Sequence, residues 1–189
     1  MKIGLYFGSF NPIHVGHLII ASHIAQTNFV EQVWLVVSPQ NPLKKSSSLL
    51  NEYHRLYLAQ LAVENDPLIK ICDIEFKLHK PSYTIDTLAY MEEKYPENKF
   101  FVIMGSDSFK NIDKWKNAEI LKKKYEFIIY PRLGFNIIEN KNINLKIVPA
   151  PLLNISSTEI RKNIKAGKSV RYLVPGKVFE EIEKGRYYK

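Results

Sequence analysis

The chain has 189 residues, 46% hydrophobic and 24% charged, which is the make-up of a globular domain with its own core and excludes disorder, collagen-like repeats or a disulfide scaffold as its main theme. Lys and Arg number 27 against 19 Asp and Glu, and the resulting +8 favours anionic partners (nucleotides, nucleic acid or a membrane surface) without choosing among them. The lone Cys72 excludes an intrachain disulfide and fits a reducing cytoplasm, no apolar run approaches the ~18 residues that span a bilayer, and the first apolar stretch is broken by Ser9, Asn11, Pro12 and His14 before it could serve as a signal peptide.

In chain order, Lys2 to Gly8 reads as a buried strand, closed by a turn over Gly8, Ser9, Asn11 and Pro12. A helix is expected from His14 to Thr27, with Leu18, Ala21, Ile24 and Ala25 on one face. Gln32 to Ser38 is a second apolar strand, and Pro39 to Leu49 a loop. The spacing then predicts a helix over Glu52 to Glu64, a strand over Ile69 to Ile74 and a helix over Thr84 to Lys94. A very apolar strand, Lys99 to Met104, ends at Gly105. A helix from Lys114 to Lys124 follows, then strands at Phe127 to Tyr130 and Leu145 to Val148. Helices at Ser156 to Lys165 and Lys177 to Lys184 complete the chain.

Strands thus alternate with helices, and most strands are continuous apolar runs, as expected when both sheet faces are covered. This predicts an α/β fold: a Rossmann-like, open, mainly parallel sheet with helices on both faces. Residues 1–189 form one domain in this reading, with a C-terminal helical portion at about 156–189. Ligands in such sheets bind beyond the carboxyl ends of the strands. The informative positions are therefore Ser9 to His17, Pro39 to Lys45, Gly105 to Trp115, Pro131 to Arg132 and Asn154 to Arg161.

The first of these, GSFNPIHVGHL, runs from Gly8 to Leu18. Gly8 lets the backbone approach a ligand closely. His14 and His17 share one face of a first helical turn, where unpaired N–H groups and the positive dipole end already favour an anion. Gly16 removes bulk between them. Asn154 to Arg161 contains ISSTEIR: Ser156 or Ser157 can cap a helix, Glu159 stands at capping-box spacing from Ser156, and Arg161 offers a fork for phosphate.

The string GSFNPIHVGH resembles the signature of the HxGH nucleotidyltransferase superfamily, in which the motif binds ATP phosphates and stabilises adenylyl transfer. ISSTEIR resembles that superfamily's second phosphate site. PSYTIDTL (Pro81 to Leu88) and GSDSFKNIDKWK (Gly105 to Lys116) narrow the resemblance to the bacterial nicotinate-nucleotide adenylyltransferases, which make nicotinate adenine dinucleotide and pyrophosphate in NAD biosynthesis. It implies catalytic roles for His14 and His17. It implies ATP contacts from these two and from Gly8, Ser9, Phe10, Gly105, Asp107, Ile155, Ser156, Ser157 and Arg161. It implies contacts to nicotinate mononucleotide from Asn11, Lys44, Ser82, Tyr83, Thr84 and Trp115, the indole stacking on the pyridine ring. ATP is then a co-substrate with Mg2+ held mainly by its phosphates, and no protein metal site is expected. Many relatives carry Asp where Asn11 stands; Asn supports the same turn and makes a metal-ligand role there doubtful.

The partners so implied are the two small substrates, with no nucleic acid and no membrane, in the cytoplasm; a homo-oligomer is left open. Class I aminoacyl-tRNA synthetases share a related motif but are much longer. Pantetheine-phosphate adenylyltransferase shares the phosphate motifs but not Trp115 or PSYTIDTL. A nucleotide sensor need not keep His14, His17 and Arg161, and a nucleic-acid module rests on charge alone. Gly167-Lys168-Ser169 lacks the rest of a P-loop. His23, His54 and Cys72 read as structural, and Arg132, after a strand, has no assigned role.

Overall fold

The computed structural model describes residues 1–42, 49–135 and 143–189. Its strands are β1 (Lys2–Gly8), β2 (Gln32–Val37), β3 (Ile69–Cys72), β4 (Lys99–Gly105), β5 (Glu126–Tyr130) and β6 (Leu145–Ile147). All pair in parallel, in the order β3-β2-β1-β4-β5-β6. The chain therefore winds one way from β1 to β3 and the other way from β4 to β6. The reversal lies between β1 and β4, where such sheets open a crevice for ligands.

The apolar runs divide by the two-residue period of the pleat. Val33, Leu35 and Val37 of β2, Phe101 and Ile103 of β4, and Ile128 and Tyr130 of β5 point to one face. Helices α1 (Val15–Ala25), α2 (Glu52–Ala62), α6 (Ser157–Lys165) and α7 (Gly176–Gly185) cover it with Ile20, Ile24, Leu58, Ile160, Val178 and Ile182. Ile3 and Leu5 of β1, Phe100, Val102 and Met104 of β4, and Phe127 and Ile129 of β5 point to the other. There they meet Ile85, Leu88 and Met91 of α3 (Thr84–Lys94) and Leu121 of α5 (Ala118–Lys124). Each fully buried Ile, Leu or Phe contributes about 1.5–3 kcal/mol. Both layers are needed, because each strand carries apolar side chains on both faces.

Several expected boundaries move. The strand expected over Ile69 to Ile74 stops at Cys72, and Ile74–Lys77 turns into a 3₁₀ helix. No helix runs unbroken from Lys114 to Lys124. A one-turn α4 (Ser106–Phe109) and a 3₁₀ turn (Ile112–Lys114) come first, and Asn117, at a left-handed φ of 54°, separates Trp115 from α5. Asn is among the few residues that adopt this backbone routinely. In α2 the buried face is Arg55, Leu58 and Ala59, with Leu56 and Leu61 only partly covered. His14 precedes α1 as its N-cap rather than lying within it.

Candidate functional site

A cleft of about 570 Å³ opens at the carboxyl ends of the strands. The N-termini of three of the longer helices border it: α1 through His14 and His17, α3 through Tyr83 and Thr84, and α6 through Ser156 and Ser157. Each brings unpaired N–H groups and a positive dipole end, so the fold alone makes the cleft attractive to anions. Arg132 and Arg161 also line it, against the carboxylates of Glu75 and Asp107.

The turn after β1 is the most constrained part. A Cβ on Gly8 would lie 2.8 Å from the Phe10 ring and would force that ring out of its place. Phe10 takes a left-handed φ of 43°. His14 and His17 stack with centroids 3.7 Å apart, and the Phe10 ring meets His17 edge-on at 5.0 Å. The His14 backbone N–H donates to His17 Nδ1 at 3.3 Å. This directs the other ring nitrogen of His17, Nε2, to act as the donor. A Cβ on Gly16 would sit 3.0 Å from His14 Nδ1, so the glycine leaves room for the His14 ring. Beneath them the Tyr6 and Tyr130 hydroxyls bond at 2.9 Å, and burial raises both phenols above their ordinary range.

Three buried polar atoms of residues lining the cleft have no hydrogen-bond partner among the described residues: Ser9 Oγ, His14 Nδ1 and Arg132 Nε. Leaving such atoms unpaired costs about 1–3 kcal/mol each, an outlay that a ligand's oxygens would reverse. Burial, followed by the Arg132 charge, lowers the His14 imidazole from its ordinary 6.5 to about 4. The unfolded chain therefore binds a proton between those values that the folded protein refuses, and stability falls as pH drops from 6.5 to 4. The full difference is ~3 kcal/mol. Urea melts across this window should show a His14→Asn variant losing less stability than the parent; parallel slopes would assign the acid sensitivity to other groups.

Opposite the turn, Ser156 is the N-cap of α6, its hydroxyl accepting from Glu159 N–H at 3.2 Å. Ser157 Oγ donates to Pro12 O at 2.9 Å, and Arg161 Nη1 donates to Asn11 O at 2.7 Å. These two bonds fix the α6 terminus to the turn after β1. The cleft's other end is walled by Ser82, Tyr83, Thr84 and Trp115. Trp115 is half-buried and extended, not helical, and packs partly against the second core. Gly105 and Asp107, where β4 ends, and Ile155, just before α6, also line the cleft. One cleft thus gathers every candidate residue except Lys44, which lies outside the described residues.

Sequence reasoning missed two buried charged groups. Arg55, 1% exposed, donates to four backbone carbonyls behind the cleft. Its signal was present: it stands three and four residues before Leu58 and Ala59, on the face that α2 buries. Glu75 is 2% exposed and accepts from Ser82 Oγ at 2.6 Å and Thr87 Oγ1 at 2.9 Å. Burial raises its carboxyl above the ordinary value, partly offset by those hydroxyls. It holds Ser82 in place at the start of the Ser82-Tyr83-Thr84 wall. Arg132, left unassigned by sequence, has its Nε 3.8 Å from an Asp107 carboxylate oxygen and its guanidinium over the Tyr130 ring.

Residues 5–163 match the cytidylyltransferase-like family. Over its full length the chain is 50% identical to a probable nicotinate-nucleotide adenylyltransferase of Flavobacterium psychrophilum, covering 100% of that protein. It is 49% identical to one of Cytophaga hutchinsonii, covering 98% of it. Among solved structures it resembles Plasmodium falciparum nicotinic acid mononucleotide adenylyltransferase complexed with NaAD, at a TM-score of 0.85 and 26% identity, covering 99% of this chain and 97% of that one. The same enzyme complexed with APC gives a TM-score of 0.83. No helix among the described residues is long and apolar enough to cross a membrane.

Proposed function

We infer that this chain, which belongs to the cytidylyltransferase-like family, is a nicotinate-nucleotide adenylyltransferase that moves AMP from ATP to nicotinate mononucleotide and releases pyrophosphate. The observation that carries the reading is the single cleft in which the turn after β1, the α6 terminus and the Ser82-to-Thr84 wall with Trp115 face one another. It offers two anion-binding ends and one flat aromatic wall, as two nucleotides require.

The attacking group is an oxygen of the mononucleotide 5′-phosphate. It bonds to the α-phosphorus of ATP as the bond to the β-phosphate's bridging oxygen breaks, and the electron pair leaves with pyrophosphate. That oxygen is already anionic at neutral pH, so no general base is needed. Catalysis then rests on alignment and on donors aimed at the growing charge. His17 Nε2–H and the neutral His14 ring supply donors at the α- and β-phosphates, with the Ser9 hydroxyl and the Phe10 backbone beside them. Ser156, Ser157 and Arg161 hold the β- and γ-phosphates that leave. Gly105, Asp107 and Ile155 border the adenosine. At the far end, Thr84 and its neighbours at the α3 N-terminus hold the nicotinate carboxylate and Trp115 covers the ring; Asn11, in the turn after β1, serves the mononucleotide, a role the family resemblance also implies for Lys44. The described residues include no cluster of His, Cys, Asp or Glu fit to hold a metal, so Mg2+ accompanying ATP would be held by phosphate and water oxygens and would offset phosphate charge. The whole chain acts as one nucleotidyltransferase domain in the cytoplasm, where a lone thiol stays reduced.

Pyrophosphate release with ATP and Mg2+ tests this directly, with nicotinate mononucleotide, nicotinamide mononucleotide and phosphopantetheine compared side by side. A strong preference for the nicotinate substrate is expected, because the α3 terminus favours a carboxylate over a neutral amide. Turnover confined to phosphopantetheine would keep the phosphate chemistry and discard the role of Trp115. Release with none of the three would leave a nucleotide-binding protein without this activity.

A further inference from the structure

Arg55 does not line the cleft, yet it binds the backbone of three segments beside it. Its Nε donates to Leu50 O at 2.9 Å, Nη1 to Ser9 O at 2.6 Å and to Ser38 O at 2.8 Å, and Nη2 to Pro39 O at 2.6 Å. These carbonyls belong to the turn after β1, the turn after β2 and the approach to α2. Burying a cation costs several kcal/mol, and its partners here are neutral carbonyls rather than a carboxylate. A stabilising role is a poor explanation for such an arrangement; a geometric one fits it.

We propose that Arg55 is a positioning residue for adenylyl transfer, one that turns the Ser9–Phe10 peptide so that the Phe10 N–H faces the triphosphate side of the cleft. The proposal rests on the adenylyltransferase reading given above. In a trans peptide unit the C=O and N–H point in opposite directions. Ser9 O points to Arg55, behind the cleft, so Phe10 N–H points away from it, toward the side where Ser9 and Phe10 line the cleft. The same bond draws a carbonyl dipole away from incoming phosphates. It also helps hold Phe10 at its φ of 43°, a conformation that non-glycine residues adopt only when their surroundings impose it. Arg161 grips the next carbonyl but one, Asn11 O, so the turn is fixed on both sides of Phe10. Asn11 Oδ1 in turn accepts from Leu50 N–H, whose own carbonyl Arg55 holds. A Lys at this position keeps the charge but loses the planar fork that serves separate carbonyls at once.

The test uses the full-length protein with Arg55→Lys and Arg55→Met, each checked for a cooperative melt, and kcat expressed per folded molecule. Arg55→Lys should lower kcat about tenfold, the scale of a misaligned donor, and leave KM for nicotinate mononucleotide within twofold. A purely structural Arg55 would reduce the folded fraction while folded molecules kept the parent kcat, and that result overturns the proposal. Should both variants fail to fold, the unaltered protein decides. Adding the non-cleavable α,β-methylene analogue of ATP should shift the Phe10 amide resonance more than amides of α7, and an unmoved Phe10 amide overturns it. Failure of the adenylyltransferase reading is seen separately, as no pyrophosphate release from the parent enzyme with nicotinate mononucleotide.

Discussion

Replacing His17 with alanine lowers kcat on the order of 100-fold or more, the usual cost of deleting one preorganised donor to a charge that grows in the transition state. The geometry makes the ring a fixed donor. Its Nδ1 accepts the His14 backbone N–H, which leaves Nε2 to carry the proton, and the His14 and Phe10 rings stop it from turning. A donor that needs no reorganisation acts chiefly on the transition state, so KM for ATP should move much less than kcat. His17→Gln, whose amide nitrogen reaches toward the place of Nε2, should recover part of the loss. Steady-state pyrophosphate release by purified, folded variants measures both. Turnover of His17→Ala within a few-fold of the parent would move the decisive donor elsewhere in the cleft.

The parts of this site that could be read from sequence are those whose function lies in side chains at fixed spacing. His14 and His17, the ISSTEIR segment and the run from Ser82 to Thr84 all border the cleft that the structure shows. The sheet was readable for a different reason: runs such as KFFVIM and QVWLVV have no polar face, so only a strand covered on both sides accommodates them. Helix α3 falls on its expected residues because Ile85, Leu88 and Met91 recur at helical spacing on its buried face. The segment from Lys114 to Lys124 misled because its composition suits a helix while the break depends on one backbone angle, at Asn117. Trp115 needs that break to lie extended along the cleft wall. Arg55 and Glu75 were passed over because buried charges are rare, and only three-dimensional packing shows which carbonyls and hydroxyls make their burial tolerable. Sequence thus identifies groups that touch a ligand more readily than groups that hold the backbone of those that do.

Arg161→Ala should lower kcat/KM for ATP on the order of 100-fold, since charge-assisted hydrogen bonds to phosphate are worth ~1.5–3 kcal/mol and the substitution releases a backbone contact as well. Arg161 spends one donor on Asn11 O at 2.7 Å, and its contact to Thr158 Oγ1 at 3.4 Å is weak. A guanidinium has further donors to give a phosphate oxygen while keeping the turn in place. Arg161→Lys tests the two duties apart. Its ammonium can neutralise phosphate or hold Asn11 O, but one compact head does not span both, so it should restore only part of the loss. Full restoration by Lys would mean that charge alone matters; a folded Arg161→Ala within threefold of the parent would remove Arg161 from ATP binding altogether. The loss should fall on ATP rather than on nicotinate mononucleotide, whose aromatic wall is at the other end of the cleft. Because the Asn11 carbonyl and the histidines belong to one turn, combining Arg161→Ala with His17→Ala should cost less than the sum of the two losses. Strict additivity would show instead that the α6 terminus and the turn after β1 act on the phosphates independently, despite the hydrogen bonds that join them.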